Sequence, residues 1–205
     1  MAAPATHIVL AEKVFNRIFE GRNEKLFMMG TSFPDIRYLG AVDRGRTHFD
    51  VSKIGDLDNL PDFIAGMKFH SLVDMVREKY VKDNGLYSLF PESKFLTQCV
   101  KMLEDKILMT KFDDWDRVAR YFDEVIIEER EFGIRVEDIE KWHGFLKALF
   151  FSRNASDASV YEFAEMIGRP REMAEEMVRV MNGATNQLRV NQIIENFYDD
   201  FEEFI

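Results

Sequence analysis

The sequence predicts an all-α protein that folds as a single compact multi-helix domain over residues 1–205. Apolar residues recur at the three- and four-residue spacing of amphipathic helices, and no segment shows the alternation expected of a strand. The chain has 19 Phe and 11 Met but only 5 Pro and 11 Gly, so bulky core side chains are plentiful and helix breakers are few. Hydrophobic residues make up 46% of the chain, which is ample material for one core.

The first helix is predicted to begin close to His7, because apolar residues follow at helical spacing behind Thr6, a favoured N-cap residue. A short second helix is predicted over Glu24–Met29, with Gly30 ending it. The next segment, Thr31–Asp58, is rich in Gly, Asp and Arg without a sustained period, so it is predicted to be a long ordered loop. Loops of this length in compact domains are commonly functional.

A helix of about six turns is predicted from Pro61 to Asp83, where Asn84-Gly85 stops it. The helices that follow are each bounded by Gly, Pro, Asn, Asp or Ser, and are predicted at Glu92–Lys111, Asp114–Glu131, Val136–Phe151, Ser156–Ile167, Pro170–Met181 and Gln187–Phe204. Residues 1–110 hold the candidate site described below. The additional helices of residues 111–205 carry no recognisable site, and packing, dimerisation to a homodimer or a substrate lid are the roles open to them.

Charge and cysteine content restrict the partners and the compartment. A formal charge of −10 repels a phosphate backbone, so nucleic acid is disfavoured and small substrates or proteins are favoured. Cys99 is the only cysteine, which excludes an intramolecular disulfide and favours the cytoplasm. No window approaches the ~18 apolar residues of a membrane helix, so no membrane insertion is expected.

Histidine is sparse and clustered, with three of the four His residues in the first 70 positions. His70 and Asp74 are four apart on the predicted helix, so the imidazole and the carboxylate share one face and can reach a common ion. Glu78 continues that face. Such pairs are also common without a metal, so this pair by itself does not separate a metal site from an ordinary helix pair.

Three further motifs accompany this pair: Ala5-Thr6-His7, Gly30-Thr-Ser-Phe-Pro34-Asp35 and Thr47-His48-Phe49. In this order and spacing, over about the first 80 residues, the four elements resemble the bacterial zinc-dependent phospholipase C family, whose fold is similar to that of fungal single-strand nucleases. The resemblance implies a short cytosolic branch of this superfamily. It also implies that Asp35, His48, His70 and Asp74 bind one zinc ion and that His7 and Asp74 face a second.

The sequence departs from the family pattern in two places. Six residues precede His7, whereas the family binds metal through its mature amino-terminal residue. Downstream, His143 is followed four residues later by Lys147 rather than by a carboxylate. These departures favour one or two metal ions over three, zinc or another divalent metal, and leave His143 as a structural residue. Three carboxylates are candidates for additional ligands, with exposed charged positions as the alternative reading: Glu78, Glu104 and Asp105.

The chemistry implied is hydrolysis of a small phosphoester, as in a phosphodiesterase or phospholipase C. Zinc lowers the pKa of a bound water molecule, which then serves as the nucleophile. Asp35 is the candidate catalytic residue, orienting or deprotonating that water. Arg37, Arg44 and Arg46 are candidates for binding the substrate phosphate, and pairing with the loop aspartates is the alternative for them.

Two other interpretations remain open. The protein could be a non-catalytic helical binding or regulatory protein in which a closed metal site pins the Thr31–Asp58 loop, and the loss of the downstream ligands supports this. The third interpretation is a helical protein without a metal.

Overall fold

The computed structural model of the protein describes residues 3–151 and 157–205, which are helical with no β-strand in either range. The predicted all-α class is confirmed. Eleven α-helices run through these ranges: α1 Pro4–Ile18, α2 Glu24–Ser32, α3 Arg44–Thr47, α4 Asp62–Asp83, α5 Leu96–Leu108, α6 Trp115–Tyr121, α7 Ile127–Arg130, α8 Val136–Phe145, α9 Asp157–Met166, α10 Arg171–Thr185 and α11 Leu188–Asp199.

Helix α1 begins at Pro4, three residues before His7, so the predicted start with Thr6 as the N-cap is wrong. Proline suits the first helical turn because its missing N–H has no acceptor there in any helix. Ala3 at the N-cap offers no side-chain oxygen. The carboxylate of Asp105 on α5 accepts hydrogen bonds from the amides of Ala5 and Thr6 instead, at 3.1 and 2.7 Å. The helix is therefore capped from a residue about 100 positions away.

Helices α2 and α4 cross at a contact that only glycine allows. A Cβ atom on Gly30 would lie 2.0 Å from the carbonyl oxygen of Phe63, and one on Gly66 would lie 2.1 Å from that of Phe27. The prediction that Gly30 ends the second helix is therefore wrong, because α2 continues to Ser32 and Gly30 leaves room for the backbone of the crossing helix. The crossing brings the end of α2 against the middle of α4.

The segment predicted as a long loop contains short helical pieces joined by irregular backbone. A 3₁₀ turn over Phe33–Leu39 continues α2, and Gly40 ends it in the left-handed conformation, at φ 71°. Helix α3 and a second 3₁₀ turn, Ile54–Leu57, follow before α4. Each piece is too short to show a sequence period, which is why the pattern predicts a loop.

Several downstream boundaries differ from the prediction. The predicted helix over Asp114–Glu131 is two helices, α6 and α7, while α5 begins at Leu96 rather than at Glu92. Helix α10 continues past Met181 to Thr185. For the helix predicted over Ser156–Ile167, which corresponds to α9, the predicted first residue lies outside the described residues. A single π-helical turn, Leu146–Phe150, extends α8, and 3₁₀ turns lie at Leu86–Leu89, Met109–Lys111 and Phe201–Glu203.

Helix α5 packs against α1, α10 and α11. The later helices therefore share one hydrophobic core with the helices that carry the candidate site. Within the two described ranges, no helix is both long enough and apolar enough to cross a membrane.

Candidate metal centre

Five side chains from four segments of the chain meet in one buried cluster. They are His7 on α1, Asp35 in the first 3₁₀ turn, His48 directly after α3, and His70 with Asp74 on α4. His7, His70 and Asp74 form one group of three potential ligand atoms within 4.8 Å of one another, and Asp35, His48 and His70 form a second. The structure thus brings together all five residues that the sequence selects.

Asp74 is the residue that all three imidazoles approach. Its Oδ1 atom lies 3.4 Å from Nε2 of His7. Its Oδ2 atom lies 3.7 Å from Nε2 of His48 and 3.8 Å from Nε2 of His70. Two ligands of a tetrahedral zinc ion, each about 2.0–2.2 Å from the metal, are about 3.3–3.5 Å apart, so these separations are close to those of a ligand set.

The glycine crossing of α2 and α4 orients His70. Nδ1 of His70 lies 2.9 Å from the carbonyl oxygen of Thr31, at the end of α2. Because a carbonyl oxygen only accepts, Nδ1 carries the proton and Nε2 is left with its lone pair directed at the cluster. A backbone carbonyl holding the far nitrogen of an imidazole is the usual second partner of a metal-binding histidine.

His48 is oriented in a similar way by its neighbour. The hydroxyl of Thr47 lies 3.1 Å from Nδ1 of His48 and 3.4 Å from the carbonyl oxygen of Pro34. When the hydroxyl donates to that carbonyl, it accepts from Nδ1–H of His48, and Nε2 again keeps the lone pair. Two of the three imidazoles therefore present Nε2 to the same space.

The donor atoms of the cluster fit a divalent cation. Nε2 of His48 and of His70, both ring nitrogens of His7 and Oδ2 of Asp35 are buried and accept or donate no hydrogen bond within residues 3–151 and 157–205. A buried polar atom left unpaired costs about 1–3 kcal/mol. Imidazole nitrogen and carboxylate oxygen are preferred zinc ligands, so one or two cations would satisfy these atoms together.

Burial sets the protonation of the imidazoles. It lowers the pKa of His48 to about 3, with Arg44 acting in the same direction. It also holds the pKa of His70 well below the usual range, with the adjacent His7 ring contributing. The His7 and His70 rings are stacked, with centroids 3.7 Å apart. Both His48 and His70 are neutral at pH 7, which is the form that binds metals.

The two carboxylates differ in their environments. Burial raises the pKa of Asp35, and the nearby His7 and Lys101 oppose that rise. Burial alone would also raise the pKa of Asp74, but its contact with His7 and the neighbouring His70 hold that pKa well below its usual range. Asp74 is therefore the constant negative charge of the cluster, and Asp35 is the carboxylate whose proton is held more strongly.

Two of the three arginines selected from the sequence lie beside the cluster. Nη2 of Arg37 lies 3.4 Å from Oδ1 of Asp35. Nη2 of Arg44 lies 3.8 Å from Oδ2 of Asp74, and half of the Arg44 side chain is exposed. Arg46 does not join them, because its Nη2 donates to the backbone carbonyl of Phe132 at 2.6 Å and its guanidinium helps to hold the segment in place.

The additional carboxylates are committed to other contacts. Glu104 accepts two hydrogen bonds from Nε of Arg77 and one from its Nη2, at 2.8 to 3.2 Å, in a buried ion pair between α5 and α4. Asp105 caps α1, and its Oδ1 also accepts from the Thr6 hydroxyl at 2.6 Å. Neither belongs to the two groups of potential ligand atoms, and both are engaged in contacts between helices. Both carboxylates instead fix the helices that carry His7 and Asp74.

Glu78 lies one turn beyond Asp74 and is engaged elsewhere as well. Its carboxylate is 3.0 Å from the hydroxyl of Tyr87 and 3.2 Å from Nζ of Lys82. Glu78 lines the cleft described next but lies outside both ligand groups.

An open cleft gives access to the cluster. Its empty volume is about 940 Å³, part of which is open solvent. His48 and Asp74 form its inner wall, and Arg37, Arg44 and Glu78 line it as well. The cluster is therefore buried on the side of α1 and reachable on the side of α3.

Lys101 is a polar residue near the cluster that the sequence does not single out. It lies on α5, is only 5% exposed, and its Nζ is 3.4 Å from the hydroxyl of Tyr38. Lys101, Glu104 and Asp105 recur at the three- and four-residue spacing of one helix face. That spacing is the sequence signal that places these three charged side chains on a common face of α5, but charged residues in such a pattern are ordinarily exposed.

The fourth histidine, His143, lies outside the cluster. Its Nε2 is 2.7 Å from Oε1 of Glu129 in a buried pair, which agrees with the structural role expected from the sequence.

Comparisons of the chain with protein-family models, with curated proteins and with solved structures found no match. The fold and the cluster together define an all-α protein in which His and Asp side chains lie close enough for a metal ion to contact several of them.

Proposed function

We propose that this protein is a metal-dependent hydrolase of phosphoesters that uses one or two zinc ions. The observation that carries the proposal is the convergence of three imidazoles and two carboxylates beside an open cleft, with Nε2 of His48, Nε2 of His70 and Oδ2 of Asp35 buried and without a hydrogen bond among the described residues. The order of motifs that resembles the zinc-dependent phospholipase C family favours phosphodiesters as the substrate class.

The residues that would hold the metal are His7, Asp35, His48, His70 and Asp74. Zinc, when bound, supplies Lewis acidity that polarises a phosphoryl oxygen and makes water a stronger nucleophile at neutral pH. Metal binding through these side chains also requires no deprotonation of His48 or His70, because both are already neutral.

The surrounding side chains supply binding and positioning. Arg44, half exposed in the cleft, is placed to bind a phosphate oxygen. Arg37 lies deeper, against Asp35, and adds a second guanidinium to the same wall. Asp35 has two roles in this proposal: one carboxylate oxygen would hold the metal, and the other would accept a hydrogen bond from the attacking water and take its proton, a role suited to a carboxylate whose pKa is raised by burial.

A closed, structural metal site is the second candidate. The almost complete burial of His7, Asp35 and His70 favours it, since a structural zinc is enclosed by protein ligands. The cleft at His48 and Asp74 favours the catalytic alternative, which needs one coordination position open to substrate.

Metal content and hydrolysis test the proposal together. Protein purified without added metal is analysed for elements, and hydrolysis of a chromogenic phosphodiester is compared for the wild type, His70→Ala and Asp35→Asn. We expect His70→Ala to lose metal and activity and Asp35→Asn to lose at least 100-fold in kcat. His143→Gln is the matched control, because it removes a buried imidazole away from the cluster and should retain both properties.

Cobalt substitution separates the two candidates. Inorganic phosphate should change the visible spectrum of the Co²⁺ protein if a coordination position is open. An unchanged spectrum, together with equal and negligible hydrolysis by all variants, would eliminate the hydrolase and leave the structural site.

A further inference from the structure

Two buried cations accompany the two carboxylates of the cluster. Lys101 on α5 is only 5% exposed and lies in the electrostatic field of Asp35 and Asp74, which favours its charged form. Arg37 has a side chain that is 16% exposed, and its Nη2 lies 3.4 Å from Oδ1 of Asp35. When both carboxylates are ionised, these four side chains therefore carry two negative and two positive charges.

The other charged groups around the cluster are offset by their own partners. Arg77 and Glu104 form a buried ion pair at 2.8 Å, and Glu78 pairs with Lys82 at 3.2 Å. Asp105 accepts from two amides at the start of α1, where the helix dipole favours a negative charge. The charge balance of the cluster is therefore set by the two carboxylates and the two buried cations.

A divalent cation would change that balance. A carboxylate that binds a metal is ionised, and His48 and His70 would bind as neutral imidazoles because burial lowers their pKa values. One divalent ion would thus leave two positive charges in excess, and a second ion would increase the excess. Buried charge is costly unless an opposite charge joins it. Arg44, half exposed at the cleft, adds a further cation where a ligand would enter.

We propose that the metal-loaded site retains a dianionic phosphate group, so that metal and phosphate bind cooperatively, and that the charge of Lys101 contributes to this coupling. The inference rests on the proposed hydrolase function. A phosphodiester carries one negative charge, whereas the phosphomonoester formed by its hydrolysis carries close to two above about pH 7. The site therefore binds phosphomonoester products more tightly than substrates, and these products inhibit the reaction.

Lys101 gives the proposal a distinctive sign. Its Nζ is 3.4 Å from the hydroxyl of Tyr38, and the Tyr38 ring lies 4.3 Å from the guanidinium of Arg37. Lys101→Met removes the charge and keeps a side chain of similar length. Zinc should bind this variant more tightly in the absence of phosphate, because a repelling cation is gone, and phosphate should then add less. A purely structural role would instead predict weaker zinc binding.

The test measures zinc affinity of the full-length protein by competition with a chromophoric chelator, at constant ionic strength and about pH 8, where phosphate is a dianion. Affinities are corrected for the zinc that phosphate binds in solution. We expect phosphate to raise the zinc affinity of the wild type at least 5-fold, and perchlorate, a tetrahedral monoanion, to raise it less. Lys101→Met should bind zinc about 5-fold more tightly without phosphate and show a smaller gain with it.

Lys106→Met is the matched control on the same helix. Lys106 is partly exposed and lies 4.0 Å from Asp157, so its removal should leave the zinc affinity and the effect of phosphate as in the wild type. Circular dichroism reports folding. If Lys101→Met is unfolded, Lys101→Gln takes its place, with the same two changes expected.

Three results would overturn the proposal: a zinc affinity that phosphate leaves unchanged, an equal gain from perchlorate, or weaker zinc binding by the folded Lys101 variant. Hydrolysis of a chromogenic phosphodiester is measured alongside. A wild type that binds zinc and hydrolyses the diester, but shows no coupling to phosphate, would retain the hydrolase function and eliminate this inference alone. A wild type that binds no zinc would eliminate both.

Discussion

Replacing Gly66 by alanine tests whether the crossing of α2 and α4 determines both the stability of the fold and the position of His70 in the His/Asp cluster. The added Cβ would lie 2.1 Å from the carbonyl oxygen of Phe27 and 2.8 Å from the amide nitrogen of Thr31, both backbone atoms. Ordinary contacts of a Cβ begin near 3.4 Å, so α2 and α4 must separate by about 1.3 Å. No side-chain rotation can relieve this clash.

The expected cost follows from that displacement. Overpacking of a rigid contact costs about 1–3 kcal/mol or more, and the gain in helix propensity returns only about 0.5–1 kcal/mol. We expect a net loss of about 2 kcal/mol in the free energy of unfolding, which lowers Tm by about 4–8 °C for a chain of this size. The contact of His70 Nδ1 with the Thr31 carbonyl oxygen, now 2.9 Å, would also lengthen beyond hydrogen-bonding distance.

Thermal unfolding by circular dichroism measures the first effect, and competition with a chromophoric chelator measures the second. We expect zinc affinity to fall by about 10- to 100-fold, the usual loss when the partner of a ligating histidine is removed. Gly144→Ala is the matched control, because Gly144 lies in α8 with no atom within 4 Å of an added Cβ. It should raise stability slightly and leave zinc affinity unchanged. If Gly66→Ala has the same Tm and zinc affinity as the wild type, the crossing does not position the cluster.

Two further predictions concern buried groups. Asp105→Asn replaces one of the two acceptor oxygens that hold the start of α1 by an amide nitrogen, so we expect zinc affinity to fall about 10-fold through misplacement of His7. Asp62→Asn weakens a similar anchor of Asn23 at the start of α2 and should lower only stability. Equal losses of zinc affinity in the two variants would contradict this. Burial raises the pKa of Cys99 to about 12, so on the order of one thiol in 10⁴ is ionised at pH 8. A thiol–disulfide reagent should therefore label the protein only after denaturation. Rapid labelling of the native protein would refute this.

Much of the cluster could be predicted because its residues follow local patterns. His70 and Asp74 share a helix face by their spacing alone, and the other three residues lie in short motifs whose order is readable along the chain. The structure brings all five together. Arg46 shows the limit of such reasoning, because proximity in sequence to His48 did not indicate that its guanidinium bonds a carbonyl 86 residues away.

The all-α class is a property of the sequence itself, because hydrophobic periodicity acts over three or four residues and each helix displays it independently. Contacts between distant segments were decided only by the tertiary structure. From the sequence, Gly30 is predicted to end a helix, but in the structure α4 crosses α2 at this residue. Asp105 has the sequence pattern of an exposed charge, but in the structure it accepts hydrogen bonds from the amides of α1. The physical reason is that a glycine or a carboxylate has the same neighbours in sequence whether it faces solvent or a packed helix. Only the packing determines which backbone approaches the glycine and which N–H groups the carboxylate accepts from.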